Sequence, residues 1–173
     1  MIVGWKEYVL LPEIQPAAIR AKLDTGALTS SLDARDIKTF WVGGAEHVEF
    51  RLAPPRSSTL EGPLCRVPVI DRRVVRNSGG HEESRIIILS TIVLAEQTIQ
   101  TEFSLTRRDP MNFRVLIGRR SLAALNVAVS STEHSVLSED AVGCQSLTYL
   151  RENSIENCAA FQKSESVFDP TSH

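Results

Sequence analysis

Leu23-Asp24-Thr25-Gly26-Ala27-Leu28-Thr29-Ser30 is the stretch whose reading decides the fold. It follows Ala18-Ile19-Arg20-Ala21-Lys22-Leu23, in which Ile19, Ala21 and Leu23 recur at every second position, the period of a half-buried strand. The alternation breaks at Asp24, so a carboxylate stands where a strand ends. Gly26 permits a tight backbone turn two residues on, and the Thr25 hydroxyl is free to bond the backbone and hold the loop. Taken alone, Asp-Thr-Gly is also ordinary turn chemistry. Its weight comes from the residues around it.

Outward from this loop, short strands dominate. Trp5 to Leu11 reads as a strand stopped by Pro12, and Leu28 to Leu32 as the return from the Asp24 loop. Ser31 to Asp36 reads as a turn or one helical turn, followed by a strand over Ile37 to Val42 that Gly43-Gly44 closes. Val48, Phe50 and Leu52 alternate with Glu49 and Arg51, and Cys65, Val67 and Val69 alternate around a Pro68 that points to a sheet edge. Asp71 to Arg76 and Arg85 to Leu94 flank Asn77-Ser78-Gly79-Gly80, a hairpin by its turn chemistry. Ile99, Thr101, Phe103 and Leu105 alternate once more, Arg114 to Ile117 is a short strand ended by Gly118, and Val127 to Val129 is the last. The one persuasive helix is Arg119 to Leu125, with Leu122 and Leu125 three apart. Many short strands with one late helix predict a mostly-β barrel or sandwich.

The 173 residues suit one domain with a tail. We divide the chain into a domain over 1–137 and an acidic, Ser-rich tail over 138–173, partly disordered or packed on the surface, with a possible short helix from Ser146 to Asn153. A formal net charge of −2 and few aromatics give no nucleic-acid signature. No apolar run is long enough for a membrane helix, and the N-terminus lacks a secretory pattern, so the expectation is a cytoplasmic protein. Cys65, Cys144 and Cys158 are odd in number and lack Cys-x-x-Cys spacing, which favours free thiols. His47, His81, His134 and His173 form no metal-binding motif, and His81-Glu82-Glu83-Ser84 stops short of one. No metal and no cofactor are expected.

Two segments carry chemistry together: the Asp24-Thr25-Gly26 loop after its strand, and Val115-Leu116-Ile117-Gly118-Arg119-Arg120 before the helix. In retroviral-type aspartic peptidases an apolar-apolar-Gly strand crosses beside the Asp-Thr-Gly loop and a helix follows. The chain resembles that fold, which implies a closed retropepsin-like (acid protease) β-barrel with one short C-terminal helix. Gly4-Trp5-Lys6-Glu7-Tyr8-Val9, Ala21 to Leu32, Val75 to Gly80, Leu105-Thr106-Arg107-Arg108 and Leu116 to Leu122 are similar to one bacterial and archaeal family. Its members are called retropepsin-like aspartic peptidases or ATP-dependent zinc proteases. The resemblance covers roughly residues 4–130. The ATP of the second name has no counterpart here, since no Gly-x-x-x-x-Gly-Lys-Ser/Thr loop occurs.

The resemblance implies that Asp24 is catalytic, with Thr25, Gly26, Ala27, Leu116, Ile117 and Gly118 as its supporting loop and strand. Two carboxylates about 3 Å apart share one proton, as in the aspartic-protease dyads from which the rule comes. Only one Asp-Thr-Gly is present, so the second Asp24 is expected from a second copy of the chain in a homodimer. Asn77, Ser78, Gly79 and Gly80 are the flap candidate, with a plain surface hairpin as the alternative. Arg76, Arg85 and Arg119 are substrate-binding candidates. Residues 71–120 hold nine arginines against six acids, which fits an acidic peptide substrate or simply a solvated basic surface. Some relatives of the family sit with ATP-grasp peptide ligases that add glutamate, which implies a functional link to such a ligase. The sequence departs from the retroviral pattern at Leu28, where a carboxylate usually pairs the Gly-Arg arginine. Arg119 is therefore expected to find another partner or face solvent. A binding or regulatory domain that kept the fold, and a metal-dependent peptidase, are the alternative readings.

Overall fold

The computed structural model describes residues 1–54, 61–76, 82–95, 97–107 and 113–137. In chain order the elements are β1 (Ile2–Gly4), β2 (Lys6–Leu11), β3 (Gln15–Asp24), β4 (Ser30–Val42), β5 (Ala45–Leu52), β6 (Leu64–Pro68), β7 (Asp71–Arg76), β8 (Glu82–Leu94), β9 (Gln97–Thr106), β10 (Val115–Gly118), α1 (Arg119–Ala124) and β11 (Ala128–Ser130). The flap candidate Asn77–Gly80 and the tail 138–173 with its proposed helix lie outside the described residues.

Six strands close a mixed barrel in the order β10, β3, β2, β8, β9, β4, and β4 returns to β10 through Val115 opposite Leu32 and Leu116 opposite Ser31. Closure leaves no unpaired edge in this ring. Two contacts are parallel, β10 with β3 and β4 with β9; the others are antiparallel. Inward side chains at the expected alternate positions fill the interior: Ile19, Ala21 and Leu23 from β3, Phe103 and Leu105 from β9, Val115 and Ile117 from β10. Complete burial of one such side chain stabilises the fold by about 1.5–3 kcal/mol. Leu122 and Leu125 of the helical segment close one end of the same core, and Asn126, at φ 51, stops the helix.

The segment from Ser31 to Asp36 departs from the reading of its sequence. There is no turn or helical turn there: β4 is one continuous strand of 13 residues. A register shift between Arg35 and Lys38, with Asp36 at φ 53, bends it, and Asp tolerates that left-handed conformation better than most residues. The bend lets one strand serve two surfaces. Its first residues sit in the barrel beside β9 and β10, while its second half leaves to pair with β5. Gly43 and Gly44, both at positive φ, make the hairpin between β4 and β5. Val48, Phe50 and Leu52 are fully buried, and β6, ending at Pro68, lies at the edge of the sheet.

Cys65 on β6 is buried, its Sγ 3.4 Å from the carbonyl oxygen of Ile14, and burial pushes its thiol up to about 11. That thiol stays protonated at neutral pH and is a poor nucleophile.

Glu7 is a buried acid that the hydrophobic pattern of β2 does not announce. Its Oε1 accepts from the amides of Gly4 (2.7 Å) and Val136 (2.9 Å), and its Oε2 from Leu137 (3.0 Å). One carboxylate thus ties the N-terminal strands to the segment after β11, which also hydrogen-bonds Trp5 and Lys6 through Glu133 and Ser135. In Glu7→Gln the side-chain amide places a donor against one of these donors. We expect a loss of about 1.5 kcal/mol in denaturant unfolding; unchanged stability would remove the anchoring role.

Candidate active site

Asp24 is the last residue of β3 and stands in register opposite Gly118, the last residue of β10. The loop that follows is closed by its own backbone. The Ala27 amide donates to the Asp24 carbonyl (3.2 Å), and the Gly26 amide donates to Asp24 Oδ1 (3.0 Å). Helix α1 begins directly after Gly118 with no side-chain cap. Its first amides are satisfied by the loop instead: Arg119 N donates to Ala27 O (2.8 Å) and Arg120 N to Leu28 O (3.2 Å). The Asp24 loop and the helix therefore hold each other in place, which is why the apolar-Gly strand must lie beside Asp-Thr-Gly.

Gly118 is required by close approach. A Cβ at that position would lie 2.6 Å from both the carbonyl carbon and oxygen of Thr29. Its amide donates to the Ser30 hydroxyl (3.1 Å), and Ser30 Oγ meets Ser121 Oγ at 2.7 Å, which in turn meets Thr101 Oγ1 at 2.8 Å. This hydroxyl chain, buried at Ser30 and Ser121, joins the loop, the helix and β9. Sequence reasoning missed it, because Ser30, Thr101 and Ser121 are far apart in the chain and each reads as ordinary polar composition. Thr25 and Gly26 are exposed, so the loop presents itself to solvent.

Lys22 was also missed as a site residue. Two positions before Asp24 on a strand, it shares the same face, and its Nζ lies 3.0 Å from Asp24 Oδ2. Both carboxylate oxygens therefore have a donor. Partial burial pushes the Asp24 carboxyl up, but the Lys22 ammonium together with the Gly26 and Ala27 amides outweighs this and holds it below the usual carboxylate range. A depressed value stabilises the folded chain at neutral pH, and that contribution is lost as the pH falls below about 3.9 through the folded value. In Lys22→Met the Asp24 carboxyl is expected to titrate at higher pH than in the wild type, read by carboxyl carbon NMR with Asp24→Asn as the assignment control. An unmoved titration would show that the lysine contact does not persist in solution.

The other sequence candidates are spread out. Leu116 and Ile117 are buried in β10 behind the loop. Leu28 is half exposed, with a relative accessibility of 51%, where the retroviral pattern has a carboxylate. Arg119 is exposed and makes no ion pair among the described residues. Arg85 lies on β8, two strands from β3 in the barrel, and its Nε donates to Glu83 (2.9 Å). Arg76 ends β7. Among the described residues no three His, Cys, Asp or Glu side chains converge as metal ligands, so the zinc in the second family name finds no matching donor set there.

A closed mixed barrel, an Asp-Thr-Gly loop at the end of one strand and an apolar-Gly strand leading into a short helix beside it define the retropepsin-type class of aspartic peptidase domains. The comparison with known proteins agrees: residues 2–140 match the RimB-like family, described as retropepsin-like aspartic endopeptidase RimB, and the chain belongs to that family. The fold is shared with the crystal structure of Lpg0085 from Legionella pneumophila, a protein of unknown function (DUF785), at a TM-score of 0.66 and 23% identity over 78% of this chain and 96% of that one. Two curated relatives carry the name "Probable alpha-L-glutamate ligase". The protein from Desulfotalea psychrophila is 39% identical over 121 residues, 70% of this chain and 26% of its own length. That from Shewanella pealeana is 37% identical over 122 residues, 70% of this chain and 27% of its own length. The chain thus spans about a quarter of the length of the curated relatives it matches.

Proposed function

We propose that this chain is an aspartic endopeptidase in which Asp24 activates water as half of a carboxylate dyad, the other half being Asp24 of a second copy. The observation that carries the reading is the seat of Asp24. It is a carboxylate fixed at a strand end by the Gly26 amide and by register with Gly118, on a loop otherwise open to solvent. In the dyad, the ionised member takes a proton from water while the protonated member polarises the peptide carbonyl. A single carboxylate cannot fill both roles at once. The exposed Leu28 and the exposed Arg119 beside the loop are surface that a two-fold partner would cover.

The substrate side of the proposal is a peptide rich in acidic residues, including glutamate added by an ATP-grasp ligase that works with this protein. Support comes from the relatives, which are named "Probable alpha-L-glutamate ligase" and whose chains extend well beyond the matched stretch. The test is cleavage of peptides by the purified chain. Turnover is expected to survive a chelator and to be lost in Asp24→Asn. Loss with chelator alone would replace this reading with a metal-dependent one, and peptide binding without cleavage would replace it with a binding domain.

A further inference from the structure

Lys6 and Lys22 stand directly opposite each other on β2 and β3, and directly opposed like charges destabilise a strand pair. The next pair on that face is Tyr8 with Arg20, whose guanidinium lies 5.9 Å from the centre of the tyrosine ring. Side chains alternate along a strand, so Arg20, Lys22 and Asp24 share one face of β3 while Ala21 and Leu23 between them are buried in the barrel. Three cations therefore run up to one carboxylate. Lys22 is bound to Asp24, and Lys6 lies 5.0 Å over the Trp5 ring. Neither Lys6 nor Arg20 makes an ion pair with any described residue. Glu7, the acid next in sequence, is spent on the Gly4, Val136 and Leu137 amides.

We infer that Lys6, Lys22 and Arg20 form a subsite for an acidic side chain of the peptide that lies against Asp24. The inference rests on the peptidase reading for its substrate, but its residues differ from the arginines Arg76, Arg85 and Arg119 to which the sequence pointed. A carboxylate entering between Lys6 and Lys22 relieves their mutual repulsion and forms charge-assisted hydrogen bonds to two ammonium groups. Trp5 and Tyr8 hold the cationic arms over their ring faces, which limits the side-chain freedom lost on binding. The result is a preference for acidic residues at positions beside the scissile bond.

Two measurements test this. The first is the ratio of kcat/KM on matched peptides carrying Glu or Gln beside the cleaved bond, in the wild type, Lys6→Gln, Lys6→Glu and Lys6→Arg. The second is fluorescence anisotropy of a labelled oligoglutamate peptide bound to Asp24→Asn, with and without Lys6→Glu, at low and high salt. We expect the Glu-over-Gln ratio to fall about tenfold or more in Lys6→Glu, less in Lys6→Gln, and to recover in Lys6→Arg. Oligoglutamate binding should weaken to a similar degree and fall with salt. A wild type that cleaves nothing, with oligoglutamate binding that still depends on Lys6, would sink the peptidase reading and keep the subsite. A ratio and a binding constant that both ignore Lys6, in variants with unaltered melting temperatures, would overturn the subsite whether or not peptides are cleaved.

Discussion

Asp24→Asn is expected to reduce peptide hydrolysis on the order of a thousandfold or more, the scale on which a positioned acid–base group contributes. The fold should survive, because an asparagine oxygen still accepts the Gly26 amide that Asp24 Oδ1 now holds. Lys22 loses its anionic partner, which is a partly exposed pair and costs little stability. A thermal melt close to that of the wild type, beside abolished turnover, separates chemistry from folding. If the dyad is shared, two further results follow from mass action. Specific activity should fall on dilution, because the active species is second order in monomer. Excess Asp24→Asn mixed into wild type should lower activity further, by forming pairs with one ionisable carboxylate. A rate strictly proportional to chain concentration, insensitive to the added variant, would sink the shared dyad while leaving Asp24 as the base.

The second large effect is on stability. In Gly118→Ala the new methyl would sit 2.6 Å from the Thr29 carbonyl group and 2.9 Å from its nitrogen, and these are backbone atoms that no rotamer change can move aside. Relief requires β10 to separate from the return of the Asp24 loop. That movement breaks the Gly118 amide bond to Ser30 and disturbs the amides of Arg119 and Arg120 that the loop carbonyls cap. We expect a cost of about 3 kcal/mol, at the upper end for overpacking a filled site, and a melting temperature lower by about 10 °C. Activity should fall along with stability, because the same contacts aim Asp24. A variant as stable as wild type would mean that β10 does not approach the Thr29 backbone as closely as described.

The alternation of Ile19, Ala21 and Leu23, of Val48, Phe50 and Leu52, and of Phe103 and Leu105 already carried the strands and their inward faces. Strand periodicity is a local property of the chain: it follows from which side chains can be buried when the backbone is extended. The Asp24 loop, the Gly118 strand and the helix after it were legible for a related reason. Each is a short-range pattern of turn former, small residue or helix spacing. Nothing in the sequence from Asp33 to Asp36 reveals a strand, because its polar residues look like a turn until a neighbour pairs with them. Only tertiary pairing, of Asp33 with Thr106 on β9 and of Ala34 with Leu52 on β5, makes them buried strand positions. The same holds for the site. Glu7 becomes a backbone anchor and Ser30, Ser121 and Thr101 become one hydroxyl chain only through contacts between segments distant in sequence, and Lys6 comes to face Lys22 through the register of β2 with β3. Hydrogen bonds and charges act over a few ångströms, so their partners are chosen by the closing of the barrel. The chain alone thus determined which residues serve as strand and loop and which carboxylate is the candidate for the site. Tertiary structure decided which groups stand beside that carboxylate, because proximity in space is what sets its charge and its surroundings.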